Sequence, residues 1–125
     1  MGSEPRVLVC EDDQSIRELL VQLLGRRGFV VDTARTGEEA LHCIASETYQ
    51  AILLDMKLPN PDGFEIVERL RHERPDVLAR TIIVTASPRA MKDPPPGTGG
   101  FLAKPFDLME LAETIDRVVR RSGDD

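Results

Sequence analysis

Short apolar runs alternate with helical segments along most of this chain. Four of the runs, residues 7–10, 51–54, 81–84 and 100–103, are almost wholly apolar, while residues 29–34 carry more polar side chains. Continuous apolar runs of this length are typical of strands buried on both faces of a parallel sheet. The alternation predicts an α/β fold with a doubly wound five-stranded parallel sheet, strand order 2-1-3-4-5, in which the second strand lies near an edge.

The size and the net charge of the chain limit the classes of protein to which it can belong. With 125 residues and 41% hydrophobic content, the chain can bury one core, which predicts a single domain over residues 1–125, with its core at about 5–121 and a frayed tail at 122–125. A net charge of −6 disfavours direct binding of nucleic acid, which requires a basic surface. No segment of the sequence resembles a signal peptide or a membrane span, so we expect a cytoplasmic protein without membrane contact.

Polar side chains follow four of the predicted strands at the point where each strand ends. They are two or three carboxylates after the first strand, one after the third, a hydroxyl after the fourth and an amine after the fifth: Glu11, Asp12, Asp13, Asp55, Thr85 and Lys104. Open α/β sheets bind ligands in the crevice at the carboxyl ends of their strands. We therefore expect these side chains to meet there.

The chemistry of this set points to a cation and a phosphoryl group. Converging carboxylates repel one another, and Mg²⁺ relieves the repulsion because it binds carboxylate oxygens and keeps several waters. With the cation bound, Asp55 can act as a nucleophile towards phosphorus, and Lys104 and Thr85 can contact the remaining phosphoryl oxygens. A simpler alternative is a carboxylate–lysine pair that only joins two strand ends. We favour it less, because such a pair does not need the second acidic cluster.

Several motifs occur in a particular order along the chain. They are Val7-Leu8-Val9-Cys10-Glu11-Asp12-Asp13 with Ile16-Arg17, Gly37-Glu38-Glu39-Ala40-Leu41, Leu54-Asp55-Met56-Lys57-Leu58-Pro59, Asp62-Gly63-Phe64-Glu65, Val84-Thr85-Ala86 and Phe101-Leu102-Ala103-Lys104-Pro105-Phe106. Over residues 6–120, their joint order and spacing resemble the receiver domains of bacterial response regulators, the chemotaxis-regulator-like phosphoacceptor domains of two-component phosphorelays. The resemblance implies a flavodoxin-like receiver fold.

The resemblance also implies a role for each site residue. Asp55 would be the phosphoacceptor, and Lys104 and Thr85 would assist the reaction. The metal ligands would be Asp12 directly, Glu11 in the outer sphere, Asp55 itself and the backbone carbonyl of Lys57. Asp13 would be a helix N-cap or a bystander. Thr85 and Phe101 would form the switch, and the Lys104–Pro105 peptide bond is a candidate for the cis form.

One segment departs from the family pattern. Residues 93–100 read Asp-Pro-Pro-Pro-Gly-Thr-Gly-Gly, and each proline forced into a helix interior costs about 3 kcal/mol. The fourth helix of the fold is therefore predicted to be lost or reduced to a Pro/Gly-rich loop, with at most about one turn between residues 87 and 92. Without that helix we expect a monomer, or a dimer that uses another surface such as the first helix.

These observations predict a receiver-type signalling switch rather than a metabolic enzyme. The resemblance implies Mg²⁺-dependent transfer of a phosphoryl group (Mn²⁺ could substitute) from a histidine kinase or phosphotransfer protein to Asp55, followed by slow hydrolysis and a change in an output partner. One alternative is a pseudo-receiver, a docking module that phosphate does not switch. Another is an aspartate-based phosphohydrolase, although that chemistry typically has an acid where this chain has Lys57.

Overall fold

The computed structural model describes residues 4–86 and 93–123, with side chains up to residue 121. Its strands are β1 (Arg6–Cys10), β2 (Val30–Ala34), β3 (Ala51–Asp55), β4 (Thr81–Thr85) and β5 (Gly100–Ala103). Its helices are α1 (Gln14–Arg26), α2 (Gly37–Ser46), α3 (Gly63–Glu73), the short α4 (Pro75–Leu78) and α5 (Leu108–Gly123). Within these ranges, no helix has both the length and the apolar character needed to cross a membrane.

The five strands form one parallel sheet in the order β2-β1-β3-β4-β5. This confirms the predicted order and places the more polar β2 at an edge. The order reverses between β1 and β3, which lie next to each other with Cys10 opposite Leu54. The crevice at the carboxyl ends of these two strands is therefore the switch point of the sheet.

The sheet is buried on both faces because its strand residues alternate between two apolar layers. In β1, Leu8 and Cys10 pack into the layer formed with α2 and α3, whereas Val7 and Val9 pack into the layer formed with α1 and α5. All five residues of β3 and of β4 are buried, Asp55 and Thr85 included. Burial on both faces explains the continuous apolar runs of the sequence.

The connection between β4 and β5 contains no helix in its described part, residues 93–99. The predicted turn at residues 87–92 lies outside the described residues. Residues 95–98 form a type II turn: the amide of Thr98 donates to the carbonyl of Pro95 at 3.4 Å, and Gly97 has φ +88°. The short α4 lies before β4, so it does not replace the expected helix.

Candidate active site at the carboxyl edge of the sheet

Three carboxylates converge where β1 and β3 end. Glu11, Asp12 and Asp55 each offer an oxygen, and these oxygens all lie within 4.8 Å of one another. Glu11 and Asp55 are buried, while Asp12 is exposed. The sequence predicted that these carboxylates would meet. One of them is accessible to solvent, and the other two are buried.

The Asp55 carboxylate is held by the loop that follows it. Its Oδ1 accepts a hydrogen bond from the amide of Lys57 at 2.9 Å. The adjacent amide of Met56 donates to the carbonyl of Val84 on β4 at 3.0 Å, and the amide of Leu58 donates to the carbonyl of Asp55 at 3.1 Å. These contacts fix both the strand end and the first turn of the loop, so the carboxylate has a defined direction.

The acidic loop after β1 is held in a similar way. The amide of Glu11 donates to the carbonyl of Ala34 at 3.0 Å, and the amide of Asp13 donates to Glu11 Oε2 at 3.2 Å. Asp13 Oδ1 accepts from the amide of Ile16 at 3.0 Å, so Asp13 is the N-cap of α1. This contact decides between the two readings of Asp13 that the sequence left open.

Lys104 joins the two buried carboxylates. Its Nζ donates to Glu11 Oε1 at 2.8 Å and to Asp55 Oδ2 at 3.0 Å. Burial lowers the pKa of Lys104, but its hydrogen bonds and its attraction to the two carboxylates more than offset this and leave the pKa above its ordinary value. Lys104 is therefore a cation at neutral pH. The Lys104–Pro105 peptide bond is cis.

The charges of the cluster favour binding of a further cation. Burial raises the pKa of the Glu11 carboxyl, and nearby Asp55 raises it further, while the hydrogen bond from Lys104 opposes the shift. Lys104 thus contributes one positive charge, paired with Glu11 and Asp55, beside a group of three carboxylates. An all-oxygen donor set with one exposed member fits Mg²⁺, which binds few carboxylates and retains waters.

The remaining predicted site residues lie around this centre. Thr85 is buried at the end of β4, one residue beyond Val84, the register partner of Asp55. The Lys57 side chain is exposed, and its backbone lies against Asp55. Phe101 is partly buried on β5, opposite Ile83, and packs against the apolar layer of α2 and α3. All of them lie on the strands and loops that were predicted.

Sequence reasoning missed how α2 holds the loop after Asp55. The amide of Gly37 donates to the carbonyl of Pro59 at 2.7 Å, and the amide of Glu38 donates to the carbonyl of Asn60 at 2.9 Å. Asn60 has φ +46°, and the Asn60–Pro61 bond is cis. The carbonyls of the loop after Asp55 thus bind two helix N-terminal amides that lack intrahelical partners. Because backbone atoms make these contacts, only the glycine at position 37 could have signalled them.

Gly37→Ala is expected to destabilise the protein by on the order of 3 kcal/mol, because the added Cβ must push the loop away. That Cβ would overlap the carbonyl oxygen of Pro61, so the backbone of the loop would have to move. Urea unfolding would measure the loss. The control is Gly25→Ala in α1, where a Cβ meets nothing within 4 Å; alanine there should be neutral or stabilising by up to about 1 kcal/mol. Equal stability of the two variants would contradict the close contact at Gly37.

Fold and site together define a class of protein: an α/β domain with a lysine-bridged cluster of carboxylates at the switch point of its sheet. Residues 7–116 match the response regulator receiver domain family, and the chain belongs to that family. It is therefore a receiver domain of two-component signal transduction, a signalling module rather than a classical enzyme.

Known relatives agree with this assignment. The response regulator MprA of Mycolicibacterium vanbaalenii is 36% identical over 122 residues, covering 96% of this chain and 52% of that protein. The transcriptional regulatory protein TcrA of Mycobacterium tuberculosis is 37% identical over 120 residues, covering 93% of this chain and 46% of that protein. The chain thus spans about half the length of these relatives.

Solved structures show the same fold. A response regulator, TrrA of Thermotoga maritima, solved in complex with Mg²⁺-BeF, superposes with a TM-score of 0.81 at 32% identity, covering 91% of this chain and 98% of that one. A sensor protein from Polaromonas sp. JS666 superposes with a TM-score of 0.83 at 29% identity, covering 97% of this chain and 100% of that one. The similarity extends over nearly the whole chain in both cases.

Proposed function

We propose that this domain accepts a phosphoryl group on Asp55 in an Mg²⁺-dependent reaction and thereby switches its interactions with a partner. The observation that carries the proposal is the position of Asp55. It is buried, lies within 4.8 Å of two further carboxylates and is paired with Lys104 at 3.0 Å. This arrangement combines a nucleophile, a cation site and a fixed ammonium group.

Each residue of the site would have a separate role in the phosphoryl transfer. One Asp55 oxygen forms a bond to phosphorus while the bond from phosphorus to the donor's histidine nitrogen breaks, and the nitrogen keeps the bonding pair. The Lys57 amide, 2.9 Å from Oδ1, and Lys104 Nζ, 3.0 Å from Oδ2, orient the carboxylate. Lys104 then neutralises charge on the new phosphoryl oxygens, and the Thr85 hydroxyl donates a hydrogen bond to one of them. Water later attacks phosphorus and the bond between phosphorus and the Asp55 oxygen breaks, which releases inorganic phosphate and leaves the electron pair on the restored carboxylate.

Asp12, Asp55 and the Lys57 carbonyl would hold Mg²⁺ directly, with Glu11 acting through water. An ion held by these residues would supply positive charge to the oxygens being transferred. Asp12 supports this assignment because it is the exposed member of the three carboxylates and faces solvent from which a hydrated ion arrives. Mn²⁺ could substitute, since it accepts the same oxygen ligands.

The partners follow from this chemistry. The phosphodonor would be a histidine kinase or a phosphotransfer protein in the cytoplasm. Phosphorylation would draw Thr85 towards the new anion and alter the neighbouring surface of Phe101 and of the loop before β5. Since residues 93–99 form no helix, we expect the output partner, or a second copy, to bind a surface other than a regular fourth helix.

The direct test is incubation with acetyl phosphate, a small phosphodonor, followed by intact mass spectrometry. With Mg²⁺ present, the protein should gain the mass of one phosphoryl group, and with excess EDTA it should gain none. Asp12→Ala should slow uptake about tenfold or more at limiting Mg²⁺, because a direct ligand is lost. Failure of the wild-type protein to gain mass would instead favour a docking module that phosphate does not switch.

A further inference from the structure

The side chain of Arg17 makes two contacts that the proposed reaction does not use. Its Nη1 donates to the carbonyl of Glu11 at 3.1 Å and to the carbonyl of Asp12 at 3.3 Å. Arg17 is the fourth residue of α1, and helical side chains lean towards the helix N-terminus. The guanidinium therefore reaches back over the first turn and binds the acidic loop from which the helix starts.

The Asp12 carboxylate depends on its backbone for direction. Within the described part of the chain, no donor binds this carboxylate, whereas Asp55 is held by the Lys57 amide and Lys104. The Asp12 carbonyl, by contrast, is tied to Arg17. Since the carbonyl and the side chain share one Cα, fixing the peptide plane restricts where the carboxylate can point.

We propose that Arg17 is a positioning residue for the acidic pair: by binding the carbonyls of Glu11 and Asp12, it fixes the direction in which Asp12 presents its carboxylate to a divalent cation. This inference rests on the proposed function, because it assumes that Asp12 is a metal ligand. A partner that orients a ligand in this way typically contributes about tenfold or more to metal affinity.

Because Arg17 is positively charged, its effect on metal affinity through positioning can be distinguished from its effect through charge. A guanidinium near a cation site repels the incoming ion, so removal of its charge alone would tighten metal binding. Loss of positioning would weaken it. The two effects have opposite signs, and weaker binding after neutralisation of Arg17 can therefore be ascribed to geometry.

The experiment is a titration of the whole domain with Mn²⁺, with free Mn²⁺ measured by electron paramagnetic resonance at a temperature where circular dichroism shows every variant folded. Arg17→Met should bind Mn²⁺ about tenfold more weakly than wild type. Arg17→Lys should recover part of that loss, since an ammonium group can donate to the same carbonyls. Arg17→Gln serves as the neutral variant if Arg17→Met does not fold.

Arg26→Met is the matched control, because it removes one positive charge from the exposed last turn of the same helix. Its affinity should stay within about twofold of wild type, since solvent screens that charge. Unchanged or tighter binding by the neutral Arg17 variants would overturn the positioning role and leave the proposed function standing. If the wild-type protein bound no Mn²⁺, or if Asp12→Ala bound it equally well, the metal site and the proposed function would fail together with the inference.

Discussion

Asp55→Asn is expected to abolish phosphoryl uptake while leaving the fold intact. The amide has nearly the shape of the carboxylate, and its oxygen can still accept the hydrogen bond from the Lys57 amide, 2.9 Å away in the native protein. It offers no anionic oxygen to attack phosphorus, so no acyl phosphate forms. Lys104 keeps its ion pair with Glu11 at 2.8 Å. Intact mass after incubation with acetyl phosphate and Mg²⁺ gives the answer, and circular dichroism verifies the fold.

The matched control makes the same chemical change three residues after the end of β1. Asp13→Asn neutralises an exposed carboxylate that caps α1, and asparagine is an equally good N-cap. This variant should accept phosphate at close to the wild-type yield. Undiminished uptake by Asp55→Asn would show that another residue is the acceptor, and loss of uptake in Asp13→Asn would show that the acidic loop tolerates no change.

Lys104→Met is expected to have the largest effect on stability among the site residues. It leaves Glu11 and Asp55, whose side chains are 4% and 6% exposed, without their shared cation. Removing one partner of a buried ion pair costs about 3–5 kcal/mol, and we expect the lower end because 20% of the Lys104 side chain is exposed. Urea unfolding at pH 7 without divalent cations measures the loss.

The pH dependence of that loss has a defined sign. Burial holds the pKa of the Glu11 carboxyl above its ordinary value, and loss of the hydrogen bond from Lys104, which opposes this shift, raises that pKa further. The folded variant therefore binds more protons than the unfolded chain. Its stability therefore falls as the pH rises through the ordinary carboxyl range towards neutrality. The deficit relative to wild type should be largest at pH 7 and shrink at acidic pH. Added Mg²⁺ should stabilise the variant more than the wild-type protein.

Lys57→Met provides the comparison, because the Lys57 side chain is exposed and the residue contacts the same carboxylate through its backbone amide, which the substitution keeps. Its stability should stay within about 0.5 kcal/mol of wild type, as is usual for surface substitutions. If both lysine variants lost the same stability, or if Lys104→Met lost none, the ion pairs of Lys104 would not be what holds the buried carboxylates.

The sheet and the position of Asp55 at the end of a central strand were predicted correctly, because a buried strand has a recognisable composition. A strand covered on both faces must be apolar throughout, so Asp55 at the end of residues 51–54 stands out. Arg17 was part of a recognised motif, but no role could be given to it, since its partners are carbonyl groups that every residue has. The short α4 was missed because four residues are too few for a helical period.

The loop after Asp55 is hydrogen-bonded to α2, so the surroundings of Asp55 resist displacement more on that side than on the other. On the α2 side, two short backbone hydrogen bonds and the close contact at Gly37 hold residues 59–61 in place. On the other side, backbone hydrogen bonds hold β4 as far as Thr85, whose carbonyl accepts from the amide of Lys104 at 2.7 Å, and the next residue, Ala86, is exposed. A strain introduced at Asp55 relaxes where the surroundings yield most easily. We therefore expect the loop next to α2 to stay in place when Asp55 is modified. The chain that connects β4 and β5 should move instead, so the conformational change should spread from the site towards β5 and not towards α2.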